Sequence, residues 1–210
     1  MTDSATEEQS LLRKRGLVLA NGCILIAALA GCIATGDYEF IFYLATLCLL
    51  IGIVVGLYRR VRIGDGVLWG LTAWAAMHMA GGLVSIPESW PHAGDSAVLY
   101  NAWIIPEFFK YDHLVHAFGF GTTTFLCWQS MCSAFGLKPH RTVATIGKLF
   151  LAASAACGLG AANEIVEYAA TVLFPDTNVG GYVNTAHDLI SNAAGSFIAA
   201  VIIRFRRVRQ

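Results

Sequence analysis

FFKYDHLVHAFGFG, residues 108–121, leads out of a polar approach into an apolar run and sets Asp112, His113 and His116 at its mouth. The run continues to Phe135, long enough to cross a bilayer, whose hydrocarbon core takes about 20 helical residues. If this stretch opens a membrane span, three ionisable groups stand where lipid is expected. The fold and the chemistry of the chain then turn on what those groups meet.

The rest of the chain repeats that length. Of its 210 residues, 56% are hydrophobic and 13% are charged, against roughly 25% charged in soluble domains. Six runs reach spanning length: 16–35, 40–57, 67–86, 113–135, 146–170 and 185–203. What they leave over cannot make a second sizeable domain. The reading is an all-α, polytopic bundle of six transmembrane helices over 16–203. A polar and basic segment (1–15) precedes it and a basic tail (204–210) follows.

The net charge of zero hides an asymmetry. Of the 14 lysines and arginines, only Lys110 falls on one side of this topology. The others flank the spans on the opposite side: Arg13, Lys14 and Arg15; Arg59, Arg60 and Arg62; Lys138, Arg141 and Lys148; and Arg204, Arg206, Arg207 and Arg209. The positive-inside rule makes that side, and both termini, cytoplasmic. An even number of spans requires the termini to share a side. Tyr58 and Trp69 on one side, and Trp90, Tyr100 and Trp103 on the other, suit interfacial aromatic belts.

Several local signals are weighed against this frame. LAGC, residues 29–32, after a basic and then apolar run resembles a lipoprotein signal; because the run continues to Thr35 and another span follows at once, an uncleaved first helix is expected. The six cysteines lie within spans without a CxxC pair and read as small apolar filler. Residues 1–12 are polar and expected to be disordered. The outer loop 87–111 is long and contains VLYNAWIIP (98–106), too short to span and read as an interfacial or re-entrant segment over the bundle mouth. Asp37–Glu39 reads as a tight outer turn. FPDTNVGGYV (174–183) reads as an outer loop with turns. The fifth span, with AASAACGLGAA at 152–162, is rich in small residues and is expected at the centre of the bundle.

Topology gives each intramembrane polar group a depth. His78 lies in the outer half of the third span. Asp112, His113 and His116 are at the outer end of the fourth. Glu164 and Glu167 are in the outer third of the fifth, and Asn184, His187, Asp188 and Asn192 at the outer end of the sixth. At 1.5 Å per residue these all fall within roughly 5–15 Å of the external boundary. Spacing agrees: Asp112 and His116 are i, i+4, Glu164 and Glu167 are i, i+3, and Asn184, Asp188 and Asn192 are i, i+4, i+8, so each set shares a helix face. His113 is expected to face headgroups or water. His187 points about 100° away from Asp188, and His92 and His140 are loop residues with no case for a site.

A single aspartate at mid-helix costs about 2.5–3.5 kcal/mol on insertion scales. Asp112, Glu164, Glu167 and Asp188 have no lysine or arginine among the spans, though Lys110 is one turn away. Four clustered carboxylates must be protonated, paired with histidine or bound to a cation. A mixed carboxylate–imidazole set suits a divalent transition metal, zinc, iron or manganese. It also matches the stoichiometry of di-iron bundles, but the E-x-x-H pairs of that class are absent. The competing reading is a hydrogen-bonded polar core that fixes helix packing.

HMAGG (78–82), YDHLVH (111–116), NEIVEY (163–168) and NTAHDLISN (184–192), in that order, resemble the YjdF-like family of small bacterial inner-membrane proteins. The likeness covers about residues 70–200. It implies a polyhelical bundle in the bacterial inner membrane and a shared polar set of His78, Asp112, His116, Glu164, Glu167 and Asp188, but no reaction. A more distant likeness is to the VanZ-like membrane proteins. The chain departs from the family where Asn184 stands in place of an aspartate and where Leu83–Ile86 replaces a Tyr-Thr-Tyr stretch. One carboxylate fewer weakens a two-metal reading.

The functional expectation is therefore a membrane-embedded metalloenzyme opening to the extracytoplasmic face. One ion would be held by some of His78, Asp112, His116, Glu164 and Asp188, activating water or a redox partner. Glu167, or Glu164 if it is not a ligand, would act as general base, with Asn184, His187 and Asn192 as the polar layer behind. A lipid-like substrate fits a site at acyl-to-headgroup depth, and hydrolysis is favoured over oxidation. The alternatives are a proton- or cation-coupled transporter, against which the inner half offers little beyond Asn21, Thr72 and Thr145, and an accessory subunit with a polar packing core. Membrane lipids are the expected partners. The short juxtamembrane basic clusters fit topology and anionic lipid, not nucleic acid, and no feature fixes an oligomeric state.

Overall fold

A computed structural model describes residues 2–61, 63–174 and 177–206. The apolar runs form helices: α1 (Thr2–Thr35), α2 (Tyr38–Tyr58), α3 (Asp65–Leu83), α4 (Tyr111–Ala134), α5 (Ile146–Leu173) and α6 (Tyr182–Phe205). Four of them are long and apolar enough to cross a membrane, over Lys14–Thr35, Tyr38–Tyr58, Ile146–Leu173 and Tyr182–Phe205. α3 and α4 have comparable lengths, 19 and 24 residues.

The expected disorder of residues 1–12 is not what is found: the backbone is helical from Thr2. Glu, Gln, Leu, Arg and Lys are strong helix formers, and the apolar run behind them supplies the nucleus. Helix α1 then runs without a break through the LAGC stretch, and Cys32 is fully buried. Asp37 caps α2, its carboxylate accepting from the Phe40 N–H at 3.0 Å, which starts a new helix two residues after the last one stops.

The centre of the bundle is α4, not α5. Helix α4 packs against α3, α5 and α6, whereas α5 packs mainly on α4 and α6. On α5 a line at i, i+4 spacing turns inward (Ala152, Ala156, Gly160 and Glu164), joined by Leu149 and Ala170, while most of the other small residues face out. The close approach comes from glycines on α4 and α6. A Cβ on Gly195 would lie 1.9 Å from the Ala117 carbonyl oxygen, and one on Gly119 would lie 2.4 Å from the Trp74 ring. Small residues permit such approach, and Gly160 in the small-residue run of α5 adds one, a Cβ there lying 2.7 Å from Asn192 Nδ2.

Chain direction alternates. The beginnings of α4 and α6 meet at one end, where Lys110 contacts Asn184 and His113 stands 5.3 Å from His187. Their far ends meet at the other, where Arg206 lies 4.7 Å over the Phe125 ring. Arg13 (its side chain), Arg62, Arg207 and Arg209 of the basic clusters lie outside the described residues, as do Pro175 and Asp176 of the 174–183 loop.

Helix α3 stops at Leu83 because the following backbone pairs with the long loop: Ile86 N–H bonds Ala97 O, and Leu99 N–H bonds Val84 O. Residues 98–106, read as an interfacial or re-entrant segment, are not helical through their length. They make a 3-10 turn (Leu99–Asn101) and strand β1 (Trp103–Ile105), paired antiparallel with β2 (Phe109–Lys110). The apolar tip, Ile104, Ile105 and Phe108, is exposed, while Tyr100 turns inward against Gly81. The hairpin also delivers Lys110 to the first turn of α4.

Candidate metal centre

His116 is the hub. It is buried on α4, and its Nε2 lies 3.5 Å from Asp112 Oδ1, 3.8 Å from Glu167 Oε1 and 4.0 Å from Asp188 Oδ1. Its Nδ1 lies 3.1 Å from Asn192 Oδ1 and 3.5 Å from Glu164 Oε1. Helices α4, α5 and α6 thus bring all four expected carboxylates to one imidazole. Two overlapping sets could each hold an ion: Asp112, His116 and Asp188, all buried, and His116, Glu164 and Glu167.

The separations from His116 to the four carboxylates, 3.5–4.0 Å, are too long for good hydrogen bonds. They are close to those between atoms sharing an ion: two ligands about 2.1 Å from one centre in tetrahedral directions stand about 3.4 Å apart.

Each member of the first set is anchored through its other atom. Lys110 Nζ holds Asp112 Oδ2 at 2.9 Å. Asn184 Nδ2 donates to Asp188 Oδ2 at 2.6 Å, and its carbonyl accepts from Lys110. Asn192 Oδ1 lies 3.1 Å from His116 Nδ1, an acceptor facing that nitrogen, and Nε2 is turned toward the carboxylates. Outer-layer partners of this kind fix ligand orientation at metal sites. Asp112 Oδ1, Asp188 Oδ1 and His116 Nε2 are left facing one another. Asp188 Oδ1 and both oxygens of Glu164 are buried with no hydrogen-bond donor. Lys110 supplies one positive charge to four carboxylates, and it does so from outside.

Glu167 is held differently. Asn163 Nδ2 donates to its Oε1 at 2.8 Å from one turn earlier on α5. It lines two joined cavities with His78 and Tyr43, and so stands between the cluster and open space.

The expected ligand His78 is near the cluster but outside both sets. Its Nδ1 is 2.5 Å from the Tyr100 hydroxyl, and its ring stacks on Trp74 at 5.4 Å. Burial pushes the Tyr100 phenol well above its ordinary value of 10, with Asp112 and Glu167 adding to the shift, so Tyr100 stays protonated and donates. His113 is likewise corrected. It does look away from the carboxylates, but toward Phe109 and His187 and not into lipid or water, and only 4% of it is exposed. Because α4 is central, its first turns expose little beyond Leu114 and Phe118. His187 contacts that histidine and not the cluster, whereas Asn184 and Asn192 both touch it.

Glu39 is the residue the sequence reading missed. It is buried at the start of α2, its Oε2 accepts the Asn178 N–H at 2.8 Å, and it lines the outer cavity with Glu167. Its i, i+4 spacing to the buried Tyr43 is the signal that would have found it.

The comparisons with known proteins now bear on this arrangement. Residues 16–209 match the family model described as predicted membrane protein (DUF2238). The chain belongs to this family. It is the YjdF-like family whose motifs carry the cluster, and the match extends the likeness to all six helices. No curated protein and no solved structure matches the chain, so nothing adds to the VanZ-like likeness. Where other family members are expected to carry aspartate, Asn184 serves as both acceptor for Lys110 and donor to Asp188, a pairing a carboxylate could not make with Asp188.

Proposed function

We propose that this chain is a membrane-embedded hydrolase that holds one divalent transition metal at His116 Nε2, Asp112 Oδ1 and Asp188 Oδ1. The observation that carries this is the convergence of His116 Nε2, Asp112 Oδ1 and Asp188 Oδ1, each residue anchored through its other polar atom. In a site shielded from water, such an arrangement is costly unless a cation completes it. A set of one imidazole and two or more carboxylates suits manganese or iron as well as zinc. A bound ion would lower the pKa of a water and polarise a carbonyl or phosphoryl oxygen. Glu167, at the cavity edge and within 3.8 Å of His116, would take the proton from that water, and Glu164 would support the ring from the Nδ1 side.

All six helices would span, with both termini cytoplasmic and the cluster toward the extracytoplasmic face of a bacterial inner membrane. The basic residues at one end and the family likeness support this orientation. A lipid-like substrate follows from the site's depth. The transporter reading is weaker because inner-half polar groups are already partnered: Asn21 bonds Thr72 Oγ1 and Leu17 O, and Thr72 bonds Leu68 O.

Elemental analysis of detergent-purified protein tests the proposal. About one equivalent of zinc, iron or manganese is expected, and its loss in His116→Gln with the helical content retained. Folded wild-type protein free of transition metal overturns it.

A further inference from the structure

Helices α3 and α6 both pack on α4 but scarcely on each other, so a strip of α4 stays uncovered between them. Glycine contacts fix its two edges. A Cβ on Gly121 would lie 3.2 Å from Gly195 O of α6, and one on Gly70 of α3 would lie 2.8 Å from Thr122 Cγ2. Between these edges stand Leu114 and Phe118, both exposed, and Phe125, half-buried. Phe125 comes nine residues after His116 and so points about 180° away from it. The strip therefore lies on the opposite side of α4 from the metal centre. Its walls are apolar: exposed Ala73, three residues after Gly70, on α3, and exposed Ile198 and Ile202, three and seven residues after Gly195, on α6.

Only one end of this groove is polar. There the Arg206 guanidinium lies 4.7 Å over the Phe125 ring. One turn further along α4, Gln129 Oε1 accepts the Gly64 N–H at 2.8 Å, and its Nε2 has no acceptor among the described residues. No described carboxylate pairs with Arg206, and Asp65, in the first turn of α3, is already engaged. A guanidinium stacked on a ring uses its face and none of its five N–H donors, which all lie in its plane. Arg206 is thus held flat at the mouth of an apolar groove with its donors unspent, and such a fork matches a phosphate. From Gln129 back to Phe118 the groove runs about 16 Å, half of a hydrocarbon core of about 30 Å. That is the reach of an acyl chain within one leaflet.

We propose that this groove seats an anionic phospholipid: its phosphate lies against Arg206 and Gln129 Nε2, and one acyl chain runs along Phe118 between α3 and α6. The headgroup charge follows from complementarity. A zwitterionic lipid would bring its ammonium beside an arginine whose own charge is unpaired, whereas an anionic one brings only the phosphate. The site goes beyond the proposed reaction and does not depend on it.

The test is native mass spectrometry of the purified full chain with phosphatidylglycerol or phosphatidylcholine of identical acyl chains. The wild type is expected to retain the glycerol lipid roughly tenfold over the choline lipid, the ratio one charge-assisted hydrogen bond gives. Arg206→Gln should bring that ratio near one. Arg204→Gln removes the same charge from an exposed residue that comes nine positions after Gly195 and so points about 180° from the groove wall; it should leave the ratio unchanged. Ala73→Phe fills the groove from an exposed position and should reduce retention of both lipids while the helical content stays. Equal retention by the wild type overturns the headgroup assignment, and so does an Arg204→Gln effect as large as that of Arg206→Gln, which would mean diffuse attraction by the basic end. Undiminished retention in Ala73→Phe overturns the groove as the chain's seat. A lipid-free dimer that Ala73→Phe dissociates would give the groove to a second copy and overturn the lipid.

Discussion

His116 on α4 and Asn192 on α6 are joined by a 3.1 Å bond at Nδ1, and that bond decides which ring nitrogen faces the carboxylates. Asn192 is 1% exposed and its own Nδ2 is without a partner, so its amide is retained there at a cost. An asparagine kept half-satisfied in a core is best explained by what it does to its neighbour.

Asn192→Leu tests that orientation. The change removes a buried unpaired amide NH2 but strands the buried His116 Nδ1 without its acceptor, so a loss of about 1–3 kcal/mol in stability is expected. Metal affinity should fall by about 10- to 100-fold, the usual effect of losing an outer-layer partner. Competition titration against a chelating dye would measure it; unchanged affinity would remove Asn192 from the site.

Asp188→Asn tests the ion more directly. Asp188 is fully buried and already accepts from Asn184, so the amide can keep one contact while losing the charge. The variant should fold but hold no metal. Chelation of the wild type should then lower its stability toward that of the variant, by about 2.7 kcal/mol when the free ion had stood at 100 times its dissociation constant. Thermal melts with and without chelator should differ for the wild type and coincide for Asp188→Asn. A chelator shift of equal size in both would place the ion elsewhere.

Gly195→Ala tests the helix contact that holds the ligands at this spacing. Its Cβ would meet backbone, at 1.9 Å from Ala117 O and 2.6 Å from Ala117 C, and a carbonyl cannot swing aside as a side chain can. Destabilisation of about 1–3 kcal/mol or more is expected, with loss of metal, because α6 must move and Asn192 and Asp188 move with it. Gly22→Ala, which meets nothing within 4 Å, should be neutral or stabilising by about 0.5–1 kcal/mol. Comparing the two unfolding midpoints in one detergent checks both.

Much of this was readable in the chain because depth and face are linear properties. Asp112 and His116, Glu164 and Glu167, and Asn184, Asp188 and Asn192 each keep helical spacing at a common distance from the span ends, and all but Glu164 and Glu167 anchor within the first turns of their helices. What spacing cannot give is which helix is surrounded. That needs the close contacts of Gly119 and Gly195, invisible until α3, α4 and α6 are side by side, and the error about His113 follows from it. Glu39 was passed over because a carboxylate at a span's end is ordinary where it meets water. Only the return of Asn178 from the distant 174–183 loop buries it.

The Tyr100–His78 bond gives a prediction in pH. Tyr100 lies in the 87–111 loop, and burial, reinforced by Asp112 and Glu167, raises its phenol well above 10 in the fold. A raised folded value means the folded state holds the proton more tightly, so the stabilisation is complete below the unfolded value of about 10 and is lost as pH rises beyond it. Tyr100→Phe removes the hydroxyl donated to His78 at 2.5 Å and should cost about 0.5–1.5 kcal/mol below pH 10. Above that pH the wild type loses its advantage while the variant has no phenol there to ionise. The gap between their melting temperatures should thus be constant from neutral pH to about 10 and close above it. A gap that instead widens in alkali would mean that Tyr100 ionises readily in the fold, and that the loop leaves this end of the bundle open to water.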